Sequence, residues 1–171
     1  FCDSWYAQPF LSAGFAVIAV NRPGFGESTG KTDFSGTHSM AAISSGVAAA
    51  SNMLKIKNAR GIWGYGSGAT AAAVFAKSKN AKSPSFLILG SGAYDLEETL
   101  EKTKDSSLKN QLEDLQKRFG DSSFDDRSIA YDVEGLPKKI FLYHGKKDTS
   151  IFPSQSKNFY DSLISSEYRV T

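Results

Sequence analysis

The chain has 171 residues, enough for one ordinary core, and 40% of them are hydrophobic, which describes a globular protein rather than a disordered or fibrous one. Its 20 Lys and Arg against 18 Asp and Glu leave a charge of +2, with the lysines scattered, so nothing argues for a nucleic-acid surface. The single cysteine, Cys2, excludes an internal disulfide and a cysteine-rich metal site, and the longest apolar runs are far too short to span a bilayer.

Residues Asp3 to Ala13 suit a short helix capped by Asp3 or Ser4 and ended by Gly14. Phe15-Ala16-Val17-Ile18-Ala19-Val20 is a continuous apolar run, which predicts a strand buried on both faces. The run breaks at Asn21-Arg22-Pro23-Gly24-Phe25-Gly26-Glu27-Ser28, a turn-rich loop. From Thr37 to about Leu54, small and apolar residues predict a helix lying close on a sheet. A strand at Gly61 to Tyr65, a glycine turn and an Ala-rich helix through Lys77 follow. Phe86 to Leu89, running into Gly90, is a further buried strand. Asp95 to Phe119 has leucines at 96, 100, 108, 112 and 115, an amphipathic helical region broken near Asp105-Ser106-Ser107. Asp121 to Pro137 reads as a polar connection. Lys139 to Tyr143 is the next strand, Ser154 to Ser165 a helix, and Tyr168 to Thr171 a β-prone run. Strand alternating with helix predicts an α/β architecture, a mostly parallel sheet with helices on both faces.

The most distinctive stretch is Gly64-Tyr65-Gly66-Ser67-Gly68. A nucleophile elbow has the pattern G-x-S-x-G, in which a serine projects from a sharp strand-to-helix turn between small neighbours. Here glycine stands where that serine would be. Gly66 suits a strained backbone but has no side chain to attack with. The amide of Ser67 would point at a developing oxyanion from a helix N-terminus. Ser67 itself becomes a nucleophile only in the shifted frame Tyr65 to Ala69, which puts tyrosine in a small-residue slot. Its plainer role is a helix N-cap.

Two more features fall at strand ends: the loop Asn21 to Ser28, and His144-Gly145-Lys146-Lys147-Asp148 followed by Ile151, Pro153, Gln155, Ser156 and Phe159. With these three in order, the chain resembles the α/β-hydrolase family, and within it the prolyl-oligopeptidase-like and dienelactone-hydrolase-like members. The likeness covers nearly the whole chain, with the first strands of the fold expected upstream of Phe1. It implies acyl transfer to water, on an ester or amide, with no metal and no organic cofactor. A serine at position 66 would attack, Asp148 would be the triad acid, and the Ser67 amide would hold the oxyanion. The acid position competes with an ordinary turn aspartate, since Gly145 to Asp148 is good turn chemistry. The histidine of the resemblance follows the last strand, so it is expected past Thr171. Of the two histidines here, His144 fits a structural role and His38 a cap or a single hydrogen bond.

The chain opens without Met and stops in a β-prone run, so a fragment is expected: one α/β-hydrolase domain over 1–171, with a small helical cap over 95–120. Two other functions stay open. One is a silent member of the fold that binds a ligand or partner. The other is a dinucleotide site, because Gly64-x-Gly66-x-x-Ala69 also fits G-x-G-x-x-G/A. That fingerprint asks for an acidic residue at the end of the next strand, where the chain has Gly90-Ser91-Gly92. The acidic groups Glu97-Glu98 and Asp121, Asp125, Asp126 have no His or Cys beside them and suit a solvated face. The expected partner is a small ester or peptide substrate.

Overall fold

The structure is a computed structural model that describes residues 6–56 and 60–171. Its first helix, α1 (Gln8–Ser12), is shorter than the expected Asp3 to Ala13. The Asp3 or Ser4 cap lies outside the described residues. Gly14 follows at φ +82, a left-handed value suited to glycine, and ends the helix as its position predicts. Then come α2 (Thr37–Leu54), β1 (Gly61–Tyr65), α3 (Ser67–Lys77), β2 (Phe86–Gly90), α4 (Leu96–Lys102), α5 (Ser106–Phe119), β3 (Lys139–Tyr143), α6 (Ser154–Ser165) and the short β4 (Arg169–Val170). Short 3₁₀ turns cover Lys79–Ala81 and Asp121–Arg127.

All neighbouring strands are parallel, in the order β1-β2-β3-β4. Right-handed crossovers in such a sequential order carry the connecting helices to one face. The side chains agree. Leu87, Leu89 and Ile140 meet the alanines of α3 together with Phe159 and Leu163 of α6 in one buried cluster. Each such large side chain contributes about 1.5–3 kcal/mol by leaving water. The opposite face carries Trp63, against which Tyr6 and Phe10 pack as tilted rings with centroids at 5.7 and 6.4 Å. Helices therefore lie on both faces, as expected, but unequally. Among the described residues no helix is long and apolar enough to cross a membrane.

The strand expected at Phe15–Val20 does not form. Residues 15 to 20 are irregular and half-exposed, Phe15 at 41%, and lie in no ladder among the described residues. A run of apolar residues supplies the side chains of a buried strand, but the partner edge must come from elsewhere. Val20 instead packs against Gly46 of α2. Residues 121–137 also differ from the polar connection expected. They bury Phe124, Ile129, Ala130, Val133 and Leu136. The break in the region 95–119 falls where predicted: Asp95 caps α4 through the Glu98 amide at 3.0 Å, and Asp105 caps α5 through the Ser107 and Leu108 amides at 2.9 and 3.1 Å.

Candidate active site

At the end of β1 the backbone reverses within one residue. Gly66 has φ 55 and ψ −129. Its N–H still donates to the Gly90 carbonyl of β2 at 2.9 Å, while its own carbonyl already accepts from the Ala69 and Thr70 amides at 2.9 and 3.4 Å. Sheet ladder and helix thus meet on one residue with no slack between them. Any other L-residue in that backbone costs about 1–3 kcal/mol. The close approach falls on Gly64, where a Cβ would run into the Gly68 carbonyl and the Ala69 backbone. Position 66 is the reverse case: a Cβ there meets nothing within 4 Å. The turn therefore demands glycine at 64 for space and favours it at 66 only for conformation.

Ser67 does not serve as the helix cap that its position suggests. The N-cap is Gly66, without a side-chain cap bond, and Ser67 is the first residue of α3. Its hydroxyl oxygen accepts instead from Arg22 Nη2 at 3.2 Å. Arg22 is only 8% exposed, and its guanidinium lies 4.4 Å over the Phe25 ring. Burial pushes its pKa below the ordinary arginine value, with Asp33 opposing the shift. The group keeps its charge at any ordinary pH. Asp33, 1% exposed, anchors the start of α2 by accepting from the His38 and Ser39 amides at 2.9 and 3.1 Å, and from the Ser39 hydroxyl. His38 itself is exposed on the first turn of α2.

Asp148 lies in the loop after β3, at the same sheet end as the turn, because Gly90 pairs with both Tyr65 and Tyr143. Two strand spacings, about 9.5 Å, separate the β1 and β3 ends. Asp148 Oδ1 accepts from the Ser150 and Ile151 amides at 3.0 and 2.9 Å, while Oδ2 stands 3.6 Å from His144 Nε2. His144 is locked on both ring nitrogens. Nε2 lies 2.7 Å from the Ile151 carbonyl, which can only accept, so Nε2 carries the proton. Nδ1 then accepts from the Ser156 hydroxyl at 2.7 Å. Ser156 is 7% exposed.

Three contributors escaped the sequence reading. Arg22 and Gln155 lie inside recognised motifs, but nothing in the spacing says that Arg22 reaches residue 67. Nor does it say that Gln155 Oε1 accepts from the Tyr94 and Asp95 amides, both at 2.8 Å. Arg127 donates to the Asp33 and Ser123 carbonyls at 2.7 Å each, a long-range link that no local pattern announces. The acidic residue that a dinucleotide site needs is absent from the end of β2, and Asp95 is engaged as the α4 cap.

The arrangement is similar to known hydrolases. A Pyrococcus horikoshii acylaminoacyl peptidase shares 16% identity over 78% of this chain and 22% of its own length, with a TM-score of 0.65. An esterase of Pyrococcus furiosus shares 21% over 96% and 62% respectively, at 0.67. An α/β fold family hydrolase from Bacillus anthracis shares 18% over 88% and 71%, at 0.58. At these identities the likeness is one of fold, and the chain spans about a fifth of the peptidase. A search of curated proteins gave no match. The profile of the prolyl oligopeptidase family matches residues 2–170, which displaces the dinucleotide reading. With a parallel sheet, a glycine-lined turn and hydrolase folds around it, the chain belongs to the prolyl oligopeptidase family, on a serine-hydrolase-type α/β fold.

Proposed function

We propose that the chain carries the nucleophile elbow of a serine hydrolase of ester or amide bonds, with glycine at the nucleophile position. Gly66 stands where a serine would attack, the Ser67 amide faces the oxyanion, and Asp148 is the acid that orients a histidine. The observation that carries the reading is the backbone of Gly66, at φ 55 and ψ −129 between a strand and a helix, with open space where a side chain would project. Asp148 Oδ2 supports it, because the amide hydrogen bonds of that loop go to Oδ1 and leave Oδ2 without one. The base is the element that the resemblance assigns beyond β4, since His144 is committed to Ser156 and Ile151. Helices α4 and α5 serve as a small cap. Arg118 Nη2 donating to the Thr32 carbonyl at 2.6 Å supports this by tying α5 to the loop beside the turn.

The test is Gly66→Ser in a chain extended past Thr171, assayed with p-nitrophenyl butyrate. Hydrolysis well above the glycine form, abolished by Asp148→Asn, is expected. A folded, extended serine form that stays inert would sink the reading. A second reading, a silent ligand-binding member, is favoured by the unused donors around Ser67.

A further inference from the structure

We infer that the end of the sheet where its strands begin is a docking face for an anionic lipid bilayer. Cations that are scattered along the chain are gathered there by the topology. The strands are all parallel, so they start at one end of the sheet. Helices α2, α3 and α6 precede β1, β2 and β4 by short connections, so their carboxyl ends lie at that end too. Arg60 stands just before β1, Lys138 and Lys139 at the opening of β3, and Arg169 at the opening of β4. Register holds them level. The Arg60 carbonyl accepts from the Ser85 amide at 2.9 Å, Lys139 pairs with Arg169, and the Lys138 carbonyl accepts from the Arg169 amide at 3.0 Å. Three strand spacings, about 14 Å, span the whole row. Lys82, in the turn before β2, and Lys55, at the carboxyl end of α2, add two more cations.

All six residues are exposed, and among the described residues none of them takes part in an ion pair. Lys138 and Lys139 rest their ammonium groups over the Tyr168 and Phe141 rings, 4.1 and 5.1 Å from the centroids. The acids beside them are Glu134 and Glu167, since Asp132 is paired with Lys77. Six cations against two acids leave an excess of four positive charges at this end, in a chain whose total is +2, so the remainder of the molecule is net negative. A positive face segregated in this way is drawn to a negative surface. The apolar side chains at the same end decide which surface. Met53, 84% exposed, and Leu54 stand in the last turn of α2, and Ile164 in the last turn of α6. A nucleic-acid backbone offers them nothing to bury against. A bilayer takes the cations at its headgroups and the apolar ends just beneath. The Gly66 turn lies at the other end of the sheet, so docking leaves it facing water.

The inference is independent of the hydrolytic reading, because its test measures binding alone. The full chain is co-sedimented with vesicles of equal parts phosphatidylserine and phosphatidylcholine. Pure phosphatidylcholine vesicles, duplex DNA and polyglutamate are the parallel arms. Binding to the mixed vesicles is expected to exceed binding to phosphatidylcholine alone by about tenfold or more, and to fall as salt is raised. Arg60→Gln, Lys82→Gln and Lys138→Gln combined, at about fivefold for each cation removed, should weaken it about a hundredfold. Met53→Ser should weaken it about threefold or more. Lys146→Gln with Lys147→Gln, at the far end of the sheet, should leave it unchanged. If the triple variant unfolds, Lys55→Gln with Lys139→Gln decides, with a loss of about twentyfold expected. No binding to the mixed vesicles, or equal binding to both kinds, overturns the inference. So does undiminished binding by the folded triple variant or by the pair that stands in for it, or an equal loss on changing Lys146 and Lys147. Binding to DNA or polyglutamate as tight as to the mixed vesicles overturns the assignment to a bilayer, as does parent-like binding by Met53→Ser.

Discussion

The turn after β1 and the loop after β3 make an instructive pair. The loop and the start of α6 bring a serine, a histidine and an aspartate together, Ser156 to His144 at 2.7 Å and His144 to Asp148 at 3.6 Å. The turn holds no side chain at its apex. By residue type alone, the loop is the better candidate for nucleophilic catalysis. Geometry reverses that ranking. The Ser156 hydroxyl is buried and donates its proton to the imidazole, whose other nitrogen is spent on a backbone carbonyl. The turn, by contrast, presents free amides to open space. Reactivity follows from what a group can still bond to, and identity comes second.

The sharpest way to break this contrast is at Gly64. Gly64→Ala drives a methyl into the Gly68 carbonyl and is expected to cost about 3 kcal/mol or more, read by urea unfolding. Gly68→Ala, which meets nothing within 4 Å, should fall within about 0.5 kcal/mol of the parent. Comparable losses at the two positions would refute the account of the turn.

On the loop side, His144→Ala leaves the Ser156 hydroxyl and the Ile151 carbonyl without their buried partner. A loss of about 2–3 kcal/mol is expected, against about 1 kcal/mol for Ser156→Ala. A fluorophosphonate probe should label neither Ser156 nor Ser67 in the chain as it stands. Label at Ser156 would show that the loop opens, and label at Ser67 would revive the shifted frame.

Acid should also act on the support of α6. Glu98 accepts from Ser154 Oγ and Gln155 Nε2 of α6 at 2.9 and 2.6 Å and pairs with Lys102. Burial alone would raise its pKa, but these hydrogen bonds and the lysine more than offset that, and the net shift is downward from 4.5. A carboxyl with a lowered folded pKa contributes stability that is present above the unfolded value and lost as the pH falls through the folded one. Unfolding midpoints should therefore drop below pH 4.5, and Glu98→Gln should flatten part of that slope.

Sequence reading recovers β1, β2 and β3 because each is an apolar run bounded by glycine, proline or a polar turn. Phe15 to Val20 has the same signature and fails, since ladder partners are supplied by other parts of the chain and leave no trace in the run itself. The stretch 121–137 misleads in the other direction. Its polar composition hides Phe124, Ile129 and Val133, spaced too irregularly to register as a period. At the candidate site, the glycines of the turn are legible from their spacing. The Arg22 to Ser67 contact is not, because it joins residues 45 apart through side chains alone.

The positive φ of Gly66 also bears on heredity. Serine codons of the AGY type become glycine codons by a single base exchange, and in this backbone the exchange relieves strain. Wherever selection for the reaction lapses, folding stability favours the glycine, and a return to serine must climb against it. A bend of this kind lets a side chain be lost more easily than it is regained.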